Sequence, residues 1–214
     1  MSQVSLVAAR IAALQQAGSA LALLQATQEL ASCADASAAP VLVEVLGFNN
    51  PGAAVAAVKG LISLGPAAVE ALLQLDPVNY GARAWAVRAL AGIGDVRGLE
   101  LLLDALGSDV AASVRRAAAK GLGQLQLDEL PPDQQQAVRR QCLGALLAAT
   151  SDGEWVVRYA VAVGLELLAA GLPPRLPEWQ QARAGLVTLL AAAPDNAPVV
   201  QRRAHLALLR LEQQ

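Results

Sequence analysis

The sequence predicts an all-α chain, a right-handed α–α superhelix of about five to six stacked helical pairs, on three observations. Hydrophobic residues make up 55% of the 214 positions but aromatics only 3%, so the apolar mass is Ala and Leu, strong helix formers with few β-branched runs. Five windows align on a leucine: AAVAAVKGL ending at Leu61, ARAWAVRAL at Leu90, VRRAAAKGL at Leu122, VRYAVAVGL at Leu165 and VQRRAHLAL at Leu208. Small residues keep a fixed place in each window. Gly60, Ala89, Gly121, Gly164 and Ala207 directly precede the leucine, and Ala57, Ala86, Ala118 and Ala204 lie four positions before it, with Val161 the one larger member.

Small residues at this spacing share one helix face and let a neighbouring helix come close while the leucine fills the adjacent groove. Each window is therefore the inner helix of a pair. The runs APVLVEVLG, GPAAVEALLQL, RGLELLLDALG, QAVRRQCLGALLAAT and ARAGLVTLLAAA, one ahead of each window, supply the outer helices. The anchor leucines are 29, 32, 43 and 43 residues apart, bracketing the roughly 40–47 residues of HEAT or armadillo-type solenoid units, with shorter units early. Residues 1–37 form an N-terminal capping pair and 38–214 the consensus-like repeats, in a single array spanning 1–214 with no independent domains. Pro-containing insertions, QLQLDELPPDQQ and GLPPRLPEW, lengthen two connections, and residues 33–38 and 126–135 are expected to be the mobile loops. Asp109, Asp152 and Asp195 recur 43 residues apart, each six positions before Arg115, Arg158 or Gln201. An Asp there can cap the following helix and pair with the arginine, in its own repeat or the adjacent one. Pro51, Pro66, Pro77, Pro194 and Pro198 are expected at turns or first helical turns, where a missing N–H costs little.

A net charge of −2 and a pI near 5.4 give no attraction to nucleic acid or to an anionic membrane surface. Mean hydropathy is positive, +0.42, but charged or Pro/Gly positions interrupt every candidate for the roughly 20 apolar residues of a spanning helix. YAVAVGLELLAAGLPP, for instance, is broken by Glu166. The N-terminus has neither the basic start nor the apolar core of a signal peptide, so a cytoplasmic location is expected. Cys33 and Cys142 read as buried reduced thiols, and with one histidine no metal site is signalled. His205 reads as a packed or half-exposed helix residue rather than a catalyst.

No GxSxG, P-loop, GxGxxG after a strand or HExxH is present, and hydrolase, kinase and dehydrogenase readings lack their parts. What stands out is a concentration of Tyr80, Arg83, Trp85, Arg88, Asp95, Arg115, Trp155, Arg158 and Tyr159 in mid-chain. Arginine holds carboxylates bidentately and stacks on flat π systems. Arg83, Arg115 and Arg158 share one repeat position, which a structural Asp/Arg ladder also explains. Trp85 is different: its aligned repeats carry Ala56, Ala117 and Ala160, so it fills a special gap or lines a groove.

The run NYGARAWAVRALAGIGDVRGLELLLDAL, followed by SVRRAAAKGLG and WVVRYAVAVGLE, resembles the F subunit of the E/F-type phycobilin lyases, in particular those serving the phycocyanin α subunit. The resemblance implies a heterodimer with an E-type helical-repeat subunit that attaches phycocyanobilin, as substrate, to a cysteine of apo-phycocyanin α, with no cofactor of its own. The nucleophile is then the acceptor's thiol, adding to the A-ring ethylidene, and the lyase binds and presents the tetrapyrrole in a concave groove. On this reading Arg83, Arg88, Arg115 and Arg158 are candidates for the propionates, Tyr80 and Trp85 for the walls of the groove, Asp95 for the ring N–H groups and Tyr159 for a further bilin contact; the catalytic residues stay unknown. Isomerising members of the group carry a His-Cys pair where this chain reads Asn79-Tyr80-Gly81, so simple attachment is expected. The alternative is a noncatalytic HEAT-like scaffold acting on phycobilisome components, and a third possibility is a different bilin or acceptor. The Ala/Leu-rich surface and modest charge predict a sizeable partner interface at one end or on an outer-helix face.

Overall fold

The computed structural model describes residues 3–76, 78–191 and 197–213. Among them there are only α-helices, four short 3-10 turns and loops, in the outer–inner alternation that the repeat register predicts. Two compact units divide the chain, residues 1–98 and 99–214.

The first unit holds three pairs: α1 (Gln3–Gln15) with α2 (Ala20–Ala31), α3 (Ala39–Leu46) with α4 (Pro51–Leu64), and α5 (Val69–Leu73) with α6 (Tyr80–Ile93). Its inner helices open on side-chain caps: Ser19 Oγ accepts from the Ala22 N–H, Asn50 Oδ1 from Ala53 and Asn79 Oδ1 from Ala82, each at 3.1 Å. The core is a run of fully buried leucines, Leu30, Leu42, Leu46, Leu61, Leu72 and Leu90. Close packing explains the small residue before the anchor leucine: a Cβ on Gly60 would lie 2.6 Å from the Ala31 Cβ of α2.

The second unit repeats the plan with α7 (Leu99–Ser108) and α8 (Ala112–Gly123), α9 (Pro132–Ala148) and α10 (Trp155–Ala169), and α11 (Pro177–Ala191) and α12 (Pro198–Glu212). Here α8 and α10 come closest, since a Cβ on Gly164 would lie 2.5 Å from the Ala119 carbonyl oxygen. The caps change as well. Ala111 and Glu154 stand at the N-cap positions and make no side-chain cap.

Several sequence expectations shift. Asp109 and Asp152 do not cap the helices that follow; each accepts the N–H two residues on, from Ala111 at 2.8 Å and Glu154 at 2.9 Å. An Asx turn wins because the helix starts two residues later than a cap would require. Asp35, Asp76 and Asp95 do the same for Ser37, Val78 and Arg97. Of the expected loops, 36–38 is a 3-10 turn and 132–135 is the first turn of α9, which starts at Pro132. Leu127 is buried and pins the connection before it. Pro51 and Pro198 sit in first helical turns and Pro66 in a 3-10 turn; Pro77, Pro194 and Asp195 lie outside the described residues. Pro51–Leu73 is, contrary to expectation, long and apolar enough to cross a bilayer. Its helices instead turn at Gly65 (φ 60°) and bury Leu61, Val69 and Leu72 against their neighbours.

Cys142 is buried, but Cys33 is only half-buried at the end of α2. His205 is exposed. Its register equivalents Val58, Ala119 and Ala162 are buried where another inner helix packs alongside.

Candidate functional site

The residues singled out by sequence fall into both units. Tyr80, Arg83, Trp85 and Arg88 lie on α6 and Asp95 in the turn after it; Arg115 lies on α8, Arg158 and Tyr159 on α10. Helix α6 starts at the Asn79 cap and stops at Gly94, whose φ of 75° ends the helix in the left-handed conformation.

Trp85 and Arg88 are one helical turn apart, and the Arg88 guanidinium carbon sits 4.5 Å from the centroid of the Trp85 ring. Both side chains are half-buried. Among the described residues the Arg88 guanidinium makes no hydrogen bond or ion pair, so its N–H edge is open while its face is stacked. Tyr80, at the first turn, is 77% exposed. Arg83 stands two positions before Trp85, about 200° around the helix, so the two do not share a face.

Asp95 is committed to its own turn. Its Oδ1 accepts from the backbone N–H and Nε of Arg97, both at 2.9 Å, and its Oδ2 from Nη2 at 2.7 Å. The same Nη2 donates to the Pro66 carbonyl at 2.7 Å, tying this turn to the preceding pair. The Arg97 side chain holds the Asp95 carboxyl below its usual range, against the opposing effect of burial.

Arg115 and Arg158 build a ladder. Arg115 Nε and Nη2 grip the Asp152 carboxylate at 2.7 and 3.0 Å, while Nη1 donates to the carbonyls of Asp109 and Val110 at 2.9 and 3.1 Å. Arg158, buried, repeats the second contact by donating from Nη1 to the Asp152 carbonyl. One aspartate thus joins the turns of two successive pairs. Burial pushes the Asp152 carboxyl up, but the bonds from Arg115 and the Glu154 N–H and the charges of Arg115 and Arg158 outweigh it, and the net direction is down. Tyr159 is half-buried on α10, next to Arg158.

Two features escaped the sequence reading. In the second unit Glu166 of α10 is buried with Arg203 of α12 and also accepts from Arg210 at 3.2 Å. Its signal was a lone carboxylate inside the apolar run of α10. In the first unit an open cavity of about 320 Å³ lies between α2 and α4, bounded by Gln28, Ala31, Ala56, Lys59, Gly60 and Ser63 among others. Its signal was the alignment itself, which sets Ala56 and Lys59 at the positions of Trp85 and Arg88. A second cavity, about 380 Å³, borders the ladder at Asp109, Arg115 and Asp152.

HEAT repeats match residues 69–142. A phycocyanobilin lyase subunit beta of Pseudanabaena tenuis is 52% identical over 171 residues, 79% of this chain; the chain spans 61% of the length of that relative. The phycocyanobilin lyase subunit beta of Thermosynechococcus vestitus is 45% identical over 206 residues, 94% of either chain. Among solved structures, the complex of CpcE and CpcF of phycocyanin lyase from Nostoc sp. PCC7120 has a chain that is 43% identical with a TM-score of 0.71, covering 81% of this chain and 99% of that one. The fold is accordingly that of a HEAT/armadillo-type repeat.

Proposed function

This chain belongs to the family of phycocyanobilin lyase β subunits, and we propose that it is the F-type half of a heterodimeric lyase joining phycocyanobilin through a thioether to a cysteine of the phycocyanin α subunit. The observation that carries the reading is the Trp85–Arg88 pair, a stacked arginine whose N–H edge is open. A planar conjugated anion needs those two things together, an aromatic wall and a fork that can take a carboxylate bidentately.

The reaction asks little covalent work of the chain. The acceptor's S–H adds across the A-ring ethylidene double bond: a C–S bond forms, the π bond is consumed, and the thiol proton ends on the neighbouring ring carbon, with nothing oxidised. What the lyase contributes is position, since holding thiol and ethylidene together replaces a bimolecular encounter. Arg88 holds a propionate, Trp85 walls a pyrrole ring and Tyr80 closes the exposed end of α6. Asp95 faces the ring N–H groups only if Arg97 releases it, and Arg115 and Arg158 of the second unit are engaged by Asp152. Asn79 in place of a His-Cys pair leaves attachment without isomerisation. The complex works in the cytoplasm and uses phycocyanobilin as substrate.

Co-expression with an E-type subunit, a bilin source and apo-phycocyanin α tests this. Blue colour that survives denaturation is the expected result; none, with all proteins folded, leaves the scaffold reading in its place. Phycoviolobilin on the product would contradict simple attachment.

A further inference from the structure

The inner helices α4 and α6 pack side by side within the first unit and carry the repeat in the same register. Five positions before the anchor leucine α6 carries Trp85 and α4 carries Ala56; two positions before it α6 carries Arg88 and α4 carries Lys59. The cavity of about 320 Å³ between α2 and α4 lies at this place, lined by both Ala56 and Lys59. Its cause is volume: alanine stands where the neighbouring helix has an indole, and Gly60 and Ala31 let the backbones close without refilling the space. The Lys59 ammonium is exposed at its rim and, among the described residues, has no ion pair or hydrogen bond.

We propose that this groove is a second anion subsite of the same pigment site, in which Lys59 takes one propionate of an open-chain tetrapyrrole and the small-residue floor of Ala31, Ala56 and Gly60 receives the pyrrole edge that bears it. The inference rests on the function proposed above. An open-chain tetrapyrrole is the occupant because it offers what the two neighbouring registers need together, two carboxylates on flexible ethyl arms and a thin flat body. Arg88 with its aromatic wall holds one arm, and Lys59 over an empty floor holds the other. The two cations differ suitably: the planar fork stacks, while the ammonium is a point charge at the mouth of a groove.

The test is noncovalent titration of the chain, paired with its E-type subunit, with phycocyanobilin and with its dimethyl ester, followed by absorbance. The wild type prefers the free acid. Lys59→Gln weakens the acid by about fivefold, the scale of one partly exposed ion pair, and leaves the ester unchanged, so the preference narrows. Ala56→Trp fills the groove and weakens both ligands, with thermal unfolding as the control for folding. An acid preference that survives Lys59→Gln intact overturns the subsite and leaves the proposed function standing. A wild-type complex that binds neither ligand overturns the proposed function and the subsite with it.

Discussion

Arg115 donates to two oxygens of Asp152 and to the carbonyls of Asp109 and Val110, whereas Arg88 has only the Trp85 ring beneath it. Substitution separates these roles. Arg115→Gln strands a largely buried carboxylate and frees two carbonyls, and urea unfolding is expected to show a loss of about 2–3 kcal/mol. Arg88→Gln gives up one half-exposed cation–π contact, so stability falls by less than about 1 kcal/mol, while bilin attachment in the co-expression assay drops about tenfold. The reverse pattern would make Arg88 a packing residue. The cysteines can be told apart in the same way. Burial pushes the Cys142 thiol up to about 12, and the half-buried Cys33 donates to the Glu29 carbonyl at 3.5 Å near the end of α2. An aromatic disulfide reagent should therefore titrate one thiol in the native chain and the second only after denaturation.

Helix pairing was legible because it is written in residue size. A small residue before each leucine and another four positions before it specify where two helices touch, and the backbone proximity of Gly164 and Ala119 is that rule made physical. Gly164→Ala decides between two effects. Helix propensity favours alanine by about 1 kcal/mol, but a new Cβ 2.5 Å from a backbone oxygen must push α8 and α10 apart, which costs about 1–3 kcal/mol. A net loss of stability is expected on chemical denaturation, and a gain would mean that the helices can separate freely. The turns were less legible. An aspartate near a helix start serves equally as a cap or as an Asx turn, and only the start of the helix, three residues after Asp109 and Asp152, makes the choice. The site was legible where a residue breaks its repeat, as Trp85 does. It was missed where the repeat is kept, because the groove at Ala56 exists through what its neighbours fail to fill, and the alignment marks it only by the contrast with Trp85. The shared position of Arg83, Arg115 and Arg158 pointed to ligand and ladder alike, and partners decide such a case.

Across the molecule, carboxylates carry the turns, and this fixes the response to acid. Asp35 is held down by the hydroxyl and N–H of Ser37 and Asp95 by Arg97; Asp152 is lowered on balance by Arg115, and Glu178 by its own backbone N–H together with Arg140 and Gln136. Every one of these shifts is downward from the ordinary values of 3.8 for Asp and 4.5 for Glu. A group whose pKa is lower folded than unfolded contributes stability above its unfolded value, and that contribution is lost as the pH falls through its folded value. The unfolded chain takes up protons first, so unfolding is favoured only once the pH drops below about 4.5. A thermal midpoint that is flat from pH 8 to 5 and falls by about 5 °C or more by pH 3 is the expected result. Asp152→Asn should lower the plateau, because the Arg115 grip is weakened, and shallow the acid limb, because one titrating group is gone. Identical acid limbs in the two proteins, or a decline that already begins at pH 6, would show that the turn carboxylates do not control acid stability.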